Sequence, residues 1–146
     1  VPYGPHQTTF PTPSPGWTQF LEAVRYRGVY PTRARAEEAV RLVLAGLGRQ
    51  LDGDHRAALA ARLPAEAARL LTRETPDTTA LTGQELVADL AARTGASLAT
   101  TRWDTGSVLT VVAELAGPVL LERLLDRLPP GHALLFGRAE LSQPAA

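Results

Sequence analysis

The 146-residue chain contains no cysteine and no methionine, and lysine, isoleucine and asparagine are missing as well. Without cysteine there are no disulfides and no thiol nucleophile, so the fold must hold by burial alone. A chain of this length buries roughly two-thirds of its unfolded surface, enough for a core without staples. The missing lysine, isoleucine and asparagine have A/T-rich codons, and alanine, leucine, arginine and glycine are heavily used, which points to a genome of very high G+C content. Codon usage then accounts for all 15 cations being arginine, a bias that would otherwise read as selection for phosphate or carboxylate recognition. Long apolar runs are also lacking: stretches such as residues 118–121 fall far below the roughly 18 apolar residues a membrane span needs. The N-terminus has no charged segment followed by an apolar one of the kind that directs export, so a cytoplasmic address is expected. No run combines β-branched enrichment with period-two alternation and turn boundaries, so no sheet is expected.

What the chain does have is a pattern that recurs. Phe20-Leu21-Glu22-Ala23-Val24 closing at Gly28 is echoed by Leu86-Val87-Ala88-Asp89-Leu90 closing at Gly95. Val43-Leu44-Ala45-Gly46-Leu47 is echoed by Val111-Val112-Ala113-Glu114-Leu115, and Arg62-Leu63-Pro64 leading to Leu70-Leu71 by Arg127-Leu128-Pro129 leading to Leu135-Phe136. A period of about 65 residues in a helical chain implies one supersecondary unit used twice. The expected organisation is a disordered Pro-rich arm over residues 1–16, a helical repeat over 17–72, a linker over 73–81, a second repeat over 82–137 and a flexible tail over 138–146. In the arm, Pro2, Pro5, Pro11, Pro13 and Pro15 stand among Tyr, Thr, Ser and His, a composition that favours extended chain; a docking peptide for a proline-recognising partner is the alternative. Charge divides along the same seam. The net is zero, yet residues 1–73 carry ten Arg against six acids and residues 74–146 carry five against nine. Such halves favour docking on each other within a chain, or head-to-tail association between chains.

Helical periodicity fills both repeats. A first helix is expected from near Trp17, with Trp17, Phe20, Leu21 and Val24 on one face and Gly28 at its end. Thr32 is the expected N-cap of the longest helix, whose apolar stripe is Ala36, Val40, Val43, Leu44, Leu47 and Leu51. The Asp52-Gly53-Asp54 turn ends it, with Asp54 capping a helix over 57–63, and Pro64 opens a fourth helix that buries Ala67, Leu70 and Leu71. In the second half Thr82-Gly83-Gln84-Glu85 has the capping-box pattern ahead of a helix through Leu86, Leu90 and Ala91. A helix over 104–116 should bury Val108, Val111, Val112 and Leu115 and break at Gly117-Pro118. Another should follow through Leu128, with a final turn at 133–136. Trp17 and Trp103 would precede helices as staples of the incoming chain, or serve as exposed anchors for a partner. The expected fold class is all-α: a tandem duplicated bundle of about four helices per repeat, with no sheet.

The run Phe20-Leu21-x-x-Val24 with its closing Gly28, then Glu38-Ala39, Val43-Leu44-x-x-Leu47 and Arg62-Leu63-Pro64 with Leu70-Leu71, resembles the bacterial family called domain of unknown function 2267. The resemblance covers residues 17–137 and is clearest at the two Leu-Pro signatures, Leu63-Pro64 and Leu128-Pro129, which recur in register. The second half departs from it at residues 101–107, where an Ala- and Glu-rich helix start would stand, and at Gly117-Pro118. It implies an all-helical module of a kind common in actinobacteria, and it implies no catalytic residue.

Candidate chemistry is sparse. There is no Gly-x-Ser-x-Gly elbow, and the three His are scattered. Asp52, Asp54 and His55 stand close in sequence, but neither a Ca²⁺-loop series nor the His-Glu-x-x-His spacing of zinc sites accompanies them. They read as a turn with a cap, and no metal site is expected. His132 reads as a surface residue near a helix start. Gly46 and Gly48 lie inside a helix with no strand before them, which excludes a dinucleotide cradle and leaves close helix packing or a weakened helix end. One cluster has a binding flavour. Arg25, Arg27, Arg33, Arg35 and Arg41 gather where the first helix ends and the second begins, and positive charge at a helix N-terminus is unfavourable unless an anion offsets it. An ordinary solvated face, with Glu22, Glu37 and Glu38 nearby, is the alternative. The expected function is a non-enzymatic helical protein-interaction or scaffold module, with no catalytic constellation and no cofactor. Its partner would be another protein or a second copy, and neutral net charge disfavours nucleic acid. The alternative is a small-ligand-binding or regulatory protein with an apolar cavity between the repeats.

Overall fold

The structure, a computed structural model, describes residues 15–138. All but the last two positions of the expected arm, His6 included, and the tail beyond Arg138 lie outside the described residues. Within them run α1 Pro15–Gly28, α2 Arg33–Gln50, α3 Gly53–Ala60, α4 Ala65–Thr72, α5 Gly83–Thr94, α6 Leu98–Arg127 and α7 His132–Leu135, with no strand.

Each start has a local cause. The Thr32 hydroxyl accepts the Arg35 N–H at 3.1 Å and opens α2. The capping box at α5 is complete: Thr82 Oγ1 accepts the Glu85 N–H and the Glu85 carboxylate accepts the Thr82 N–H. At α3 the cap is Asp52, not the expected Asp54; its carboxylate accepts the His55 N–H at 3.0 Å. The helix expected from 104 begins at Leu98, capped by Ser97. Trp103 therefore lies inside α6, as Trp17 lies inside α1, and neither stands ahead of its helix. The Thr-rich opening that argues against a helix is accommodated because Thr101, Thr105, Ser107 and Thr110 each turn the hydroxyl onto the carbonyl four residues back, at 2.7–2.8 Å. Gly117 then breaks α6 at φ 82° and ψ 161°, a conformation cheap only for glycine, and Pro118 restarts the helix where a missing N–H costs nothing. Leu115, just ahead of that break, was expected inside and is 39% exposed.

α1 ends in a Schellman arrangement: Tyr30 N–H donates to Arg25 C=O at 2.9 Å and Val29 N–H to Tyr26 C=O at 3.3 Å. The left-handed position in that motif is held by Val29, at φ 54°. Gly28 is one residue earlier because the Tyr30 ring lies against its Cα, where a Cβ would collide.

Every helix contributes side chains to one buried apolar cluster, from Trp17 and Phe20, whose rings stack at 6.1 Å, through to Leu135 and Phe136. α2 is its axis and packs against α1, α4, α5 and α6. Two glycines permit that: a Cβ at Gly48 would strike the Leu71 carbonyl of α4, and one at Gly46 would come within 2.9 Å of a Leu90 methyl of α5. The non-helical stretch after α4 is tied back to α2, with Asp77 N–H on Arg49 C=O and Leu81 N–H on Gln50 Oε1, both at 2.8 Å. α5 and α7 start side by side, with Gly83 N–H on Pro130 C=O at 2.9 Å and the Gly83 and Gly131 backbones in contact. That junction corrects the reading of His132, which is 1% exposed with Nε2 2.9 Å from the Leu81 carbonyl. The turn after Pro129-Pro130-Gly131 points it inward.

Candidate interaction surface

The five arginines singled out from the sequence do gather near the α1–α2 junction, and each already meets a carboxylate of the same chain. Arg25 and Arg33 share Glu22, Arg41 pairs with Glu37, Arg27 with Glu114 and Arg35 with Asp104. The two guanidinium groups on Glu22 hold its carboxyl below the usual range. Arg27–Glu114 and Arg35–Asp104 join residues 87 and 69 positions apart, so cation-rich and acid-rich halves meet as their charges favour. The anions that offset positive charge at the start of α2 are Glu22, on Arg33, and Asp104, on Arg35.

Asp104 sits at the most buried polar cluster described. Tyr30 Oη donates to it at 2.6 Å, Arg35 spans its two oxygens at 2.9 and 3.2 Å, and the Arg35 guanidinium lies 5.0 Å from the centre of the Tyr30 ring. Burial, and then the adjacent Asp104 carboxylate, push the Tyr30 phenol well above its ordinary value. A tyrosine so shifted is the reverse of an activated base or nucleophile. The Asp52–His55 turn is equally local: the carboxylate, lowered to about 2 chiefly by the His55 N–H and then its ring, caps α3 and meets Arg127 at 3.2 Å.

A different surface has the features of a binding site. Along one side of α6 runs a groove open to solvent. Its central part encloses about 620 Å³ and is lined by Ala99, Trp103, Gly106, Thr110, Leu134 and Arg27, among others. Through Leu98, Arg102 and Leu134 it continues over Val87 and Ala88 of α5 into a hollow of about 530 Å³. Past Thr110 it continues beside Ala113, Val119 and Phe136, for about 470 Å³ more. Large apolar side chains stand in water along it: Leu98 at 61%, Trp103 at 55%, Leu134 at 51% and Val119 at 72% exposure. Trp103 is held in place there by its Nε1–H on the Gly28 carbonyl at 2.9 Å. Gly106 lies inside the helix, yet a Cβ on it would meet nothing within 4 Å. No packing among the described residues calls for glycine there, although glycine weakens a helix interior by about 1 kcal/mol relative to alanine.

The family model for an uncharacterized conserved protein (DUF2267) matches residues 17–135, from the first core residue of α1 to the last residue of α7. The chain belongs to the DUF2267 family. Among curated proteins, none matches. No described helix of this DUF2267 chain is long and apolar enough to cross a membrane. Sequence reasoning missed its groove because single exposed apolar residues inside a helix look like ordinary surface. The signal lay in the spacing. Sixty-five residues before Leu98, Trp103, Gly106, Val119 and Leu134 stand Arg33, Glu38, Arg41, Asp54 and Arg69, all charged and all exposed.

Proposed function

We propose that this DUF2267 chain is a non-enzymatic helical interaction module, one four-helix unit used twice, that presents the α6 groove to another protein chain. Several matches support the duplication. Thr32 and Ser97 cap the second helix of each unit. Leu63 and Leu128 are both buried ahead of a proline, and each donates its N–H to the carbonyl three residues back, at 3.1 and 3.3 Å. The buried positions Val40, Val43, Leu44 and Leu47 recur at Thr105, Val108, Leu109 and Val112, also buried, with a constant step of 65 residues. In that register Val43 matches Val108, three residues before the Val111 match read from the sequence alone.

The observation that carries the binding role is that exposed charge at Arg33, Glu38, Asp54 and Arg69 is replaced, 65 residues on, by exposed apolar side chains at Leu98, Trp103, Val119 and Leu134 along the groove. A continuous apolar strip in water is a standing cost that a partner removes. What supports a non-enzymatic role is that Asp104, the best-buried carboxylate described, is already engaged by Tyr30 and Arg35 and lines none of the hollows described above.

Site-specific photo-crosslinking in the source cells tests the proposal. A photoreactive phenylalanine analogue at Leu134 or Leu98 should capture a second polypeptide, and the same analogue at Arg69 should not. Silence at both groove positions would overturn it. One observation favours the small-ligand reading: α1, the α3–α4 turn and α6 leave an apolar hollow of about 510 Å³ lined by Phe20, Ala23, Leu63, Val111 and Leu115. A metabolite that raises the melting temperature of the wild type but not of Leu115→Asp would establish that site, since binding the native state alone stabilises it.

A further inference from the structure

We infer that residues 10–14 of this chain, Phe-Pro-Thr-Pro-Ser, turn back as an extended run into the hollow between α1, the α3–α4 turn and α6. The inference rests on the duplication in the proposed reading and does not need the α6 groove. The run lies outside the described residues, and it joins them at the edge of the hollow: Gly16 and Gln19 of α1 line it, with Phe20 and Ala23 further along.

The other half of the chain shows what stands at the corresponding place. With the step of 65 that relates α2 to α6, Glu114 and Leu115 of the hollow correspond to Arg49 and Gln50. With the step of 66 that relates Phe20, Leu21 and Val24 to Leu86, Val87 and Leu90, residues 11–15 correspond to 77–81. That later run lies on the end of α2. Asp77 N–H donates to the Arg49 carbonyl and Leu81 N–H to Gln50 Oε1, both at 2.8 Å, and Gln50 Nε2 donates to the Thr79 carbonyl at 3.4 Å. Ahead of α1 the equivalent surface is the hollow, where Leu115 is 39% exposed.

The residue types at the two places differ in a matched way. Where one half has Asp77, Thr79 and Leu81 the other has Pro11, Pro13 and Pro15, and where one has Gln50 the other has Leu115. Proline brings no N–H, and leucine has no amide to accept one, so the polar tie of the later run has an apolar pair as its counterpart. Phe10 supplies the large apolar side chain. Five extended residues back from Pro15 reach about 17 Å, whereas α1 from Gly16 to Ala23 is about 10 Å long. The prolines fix φ in advance and so lower the entropy lost on docking. Of the charged groups lining the hollow, Glu114 is held by Arg27. Arg62 is exposed and has no ion-pair partner among the described residues, which leaves its donors for the carbonyls of such a run.

Disulfide trapping tests the inference in a chain with no cysteine of its own. Ala61 lines the hollow and is exposed. In the full chain carrying Thr9→Cys and Ala61→Cys, mild oxidation should form an intramolecular disulfide, and adding Phe10→Ser should slow it by about tenfold, because docking raises the local concentration of one thiol at the other. A run that is tethered but not docked would meet Ala61 at a rate indifferent to residue 10. Leu115→Asp should slow the same step, and Leu134→Asp should not. Equal rates with Phe and Ser at position 10 would overturn the inference and leave the hollow to the small molecule considered above. If the rates are equal while Leu134 captures a second polypeptide, the docked run fails and the interaction module stands. If Phe10→Ser slows the disulfide while both groove positions stay silent, the docked run stands and the groove reading fails.

Discussion

α2 is covered on most sides by α1, α4, α5 and α6, and its remaining face carries Arg33, Glu37 and Arg41 into water. α6 carries Leu98, Arg102 and Gly106 at the positions 65 residues on, none of them buried by the other described residues. The covering helices differ too: α4 has eight residues to lay against α2, whereas α7 has four to lay against α6 and leaves a groove beside it. The glycines follow the same division. Gly48 is required by the Leu71 carbonyl and a Cβ at Gly46 would crowd a Leu90 methyl, while a Cβ at Gly106 would meet nothing within 4 Å. A helix surface dressed with paired charge has its charges satisfied; one dressed with leucine, tryptophan and an unexplained glycine is what the proposed interaction role would use.

The largest effect should separate those glycines. Gly48→Ala drives a methyl into the Leu71 carbonyl and should cost about 3 kcal/mol in urea unfolding, because backbone cannot yield as a side chain can. Gly106→Ala should instead add about 1 kcal/mol through helix propensity. Equal losses at both would erase the contrast between α2 and α6. Next comes the tie between the halves. Asp104→Ala strands the Tyr30 hydroxyl and the Arg35 guanidinium, and should destabilise by about 2 kcal/mol, less than a fully buried pair because Arg35 is partly in water. Sixty-five residues earlier stands Ala39.

Smaller again is the difference between two helix ends. α1 and α7 close with the same pair of hydrogen bonds, but the left-handed residue is Val29 in one and Gly137 in the other. Val29→Gly should stabilise by about 1 kcal/mol and Gly137→Ala should destabilise by a similar amount, read as opposite shifts in thermal midpoint. The smallest effect concerns Asp52, the cap of α3, with Gly117 and no acid 65 residues on. Its pKa lies at about 2 in the folded chain against the ordinary 3.8, so its contribution is complete above pH 4 and fades as pH falls toward 2. Wild type should therefore exceed Asp52→Asn in stability at pH 5, and the gap should close on acidification; a gap constant from pH 5 to 2 would show that the carboxylate charge is not involved.

How much of this could be read in advance depends on the range of the forces involved. Thr32 and the Thr82–Glu85 box act within one helical turn, and both were legible from residue type and spacing. The apolar stripe of α2 was legible because its period matches the helix. Asp52 against Asp54 was not, since either carboxylate can cap and the backbone path between them decides. His132 was misplaced because Pro130 and Gly131 announce a turn without saying which way the chain emerges from it. The start of α6 was read six residues late because threonine lowers helix propensity by an amount that buried hydroxyl–carbonyl bonds then recover.

The order of amino acids by itself determined that this chain is helical and that Thr32 and Thr82 cap two of its helices. These are consequences of short-range hydrogen bonding and of hydrophobic period. Only the tertiary structure decided that Asp104 holds Tyr30 and Arg35, that the five arginines are already paired, and that α7 leaves one side of α6 bare. Contacts between residues some 70 positions apart depend on how helices pack, and packing is chosen by the whole core at once.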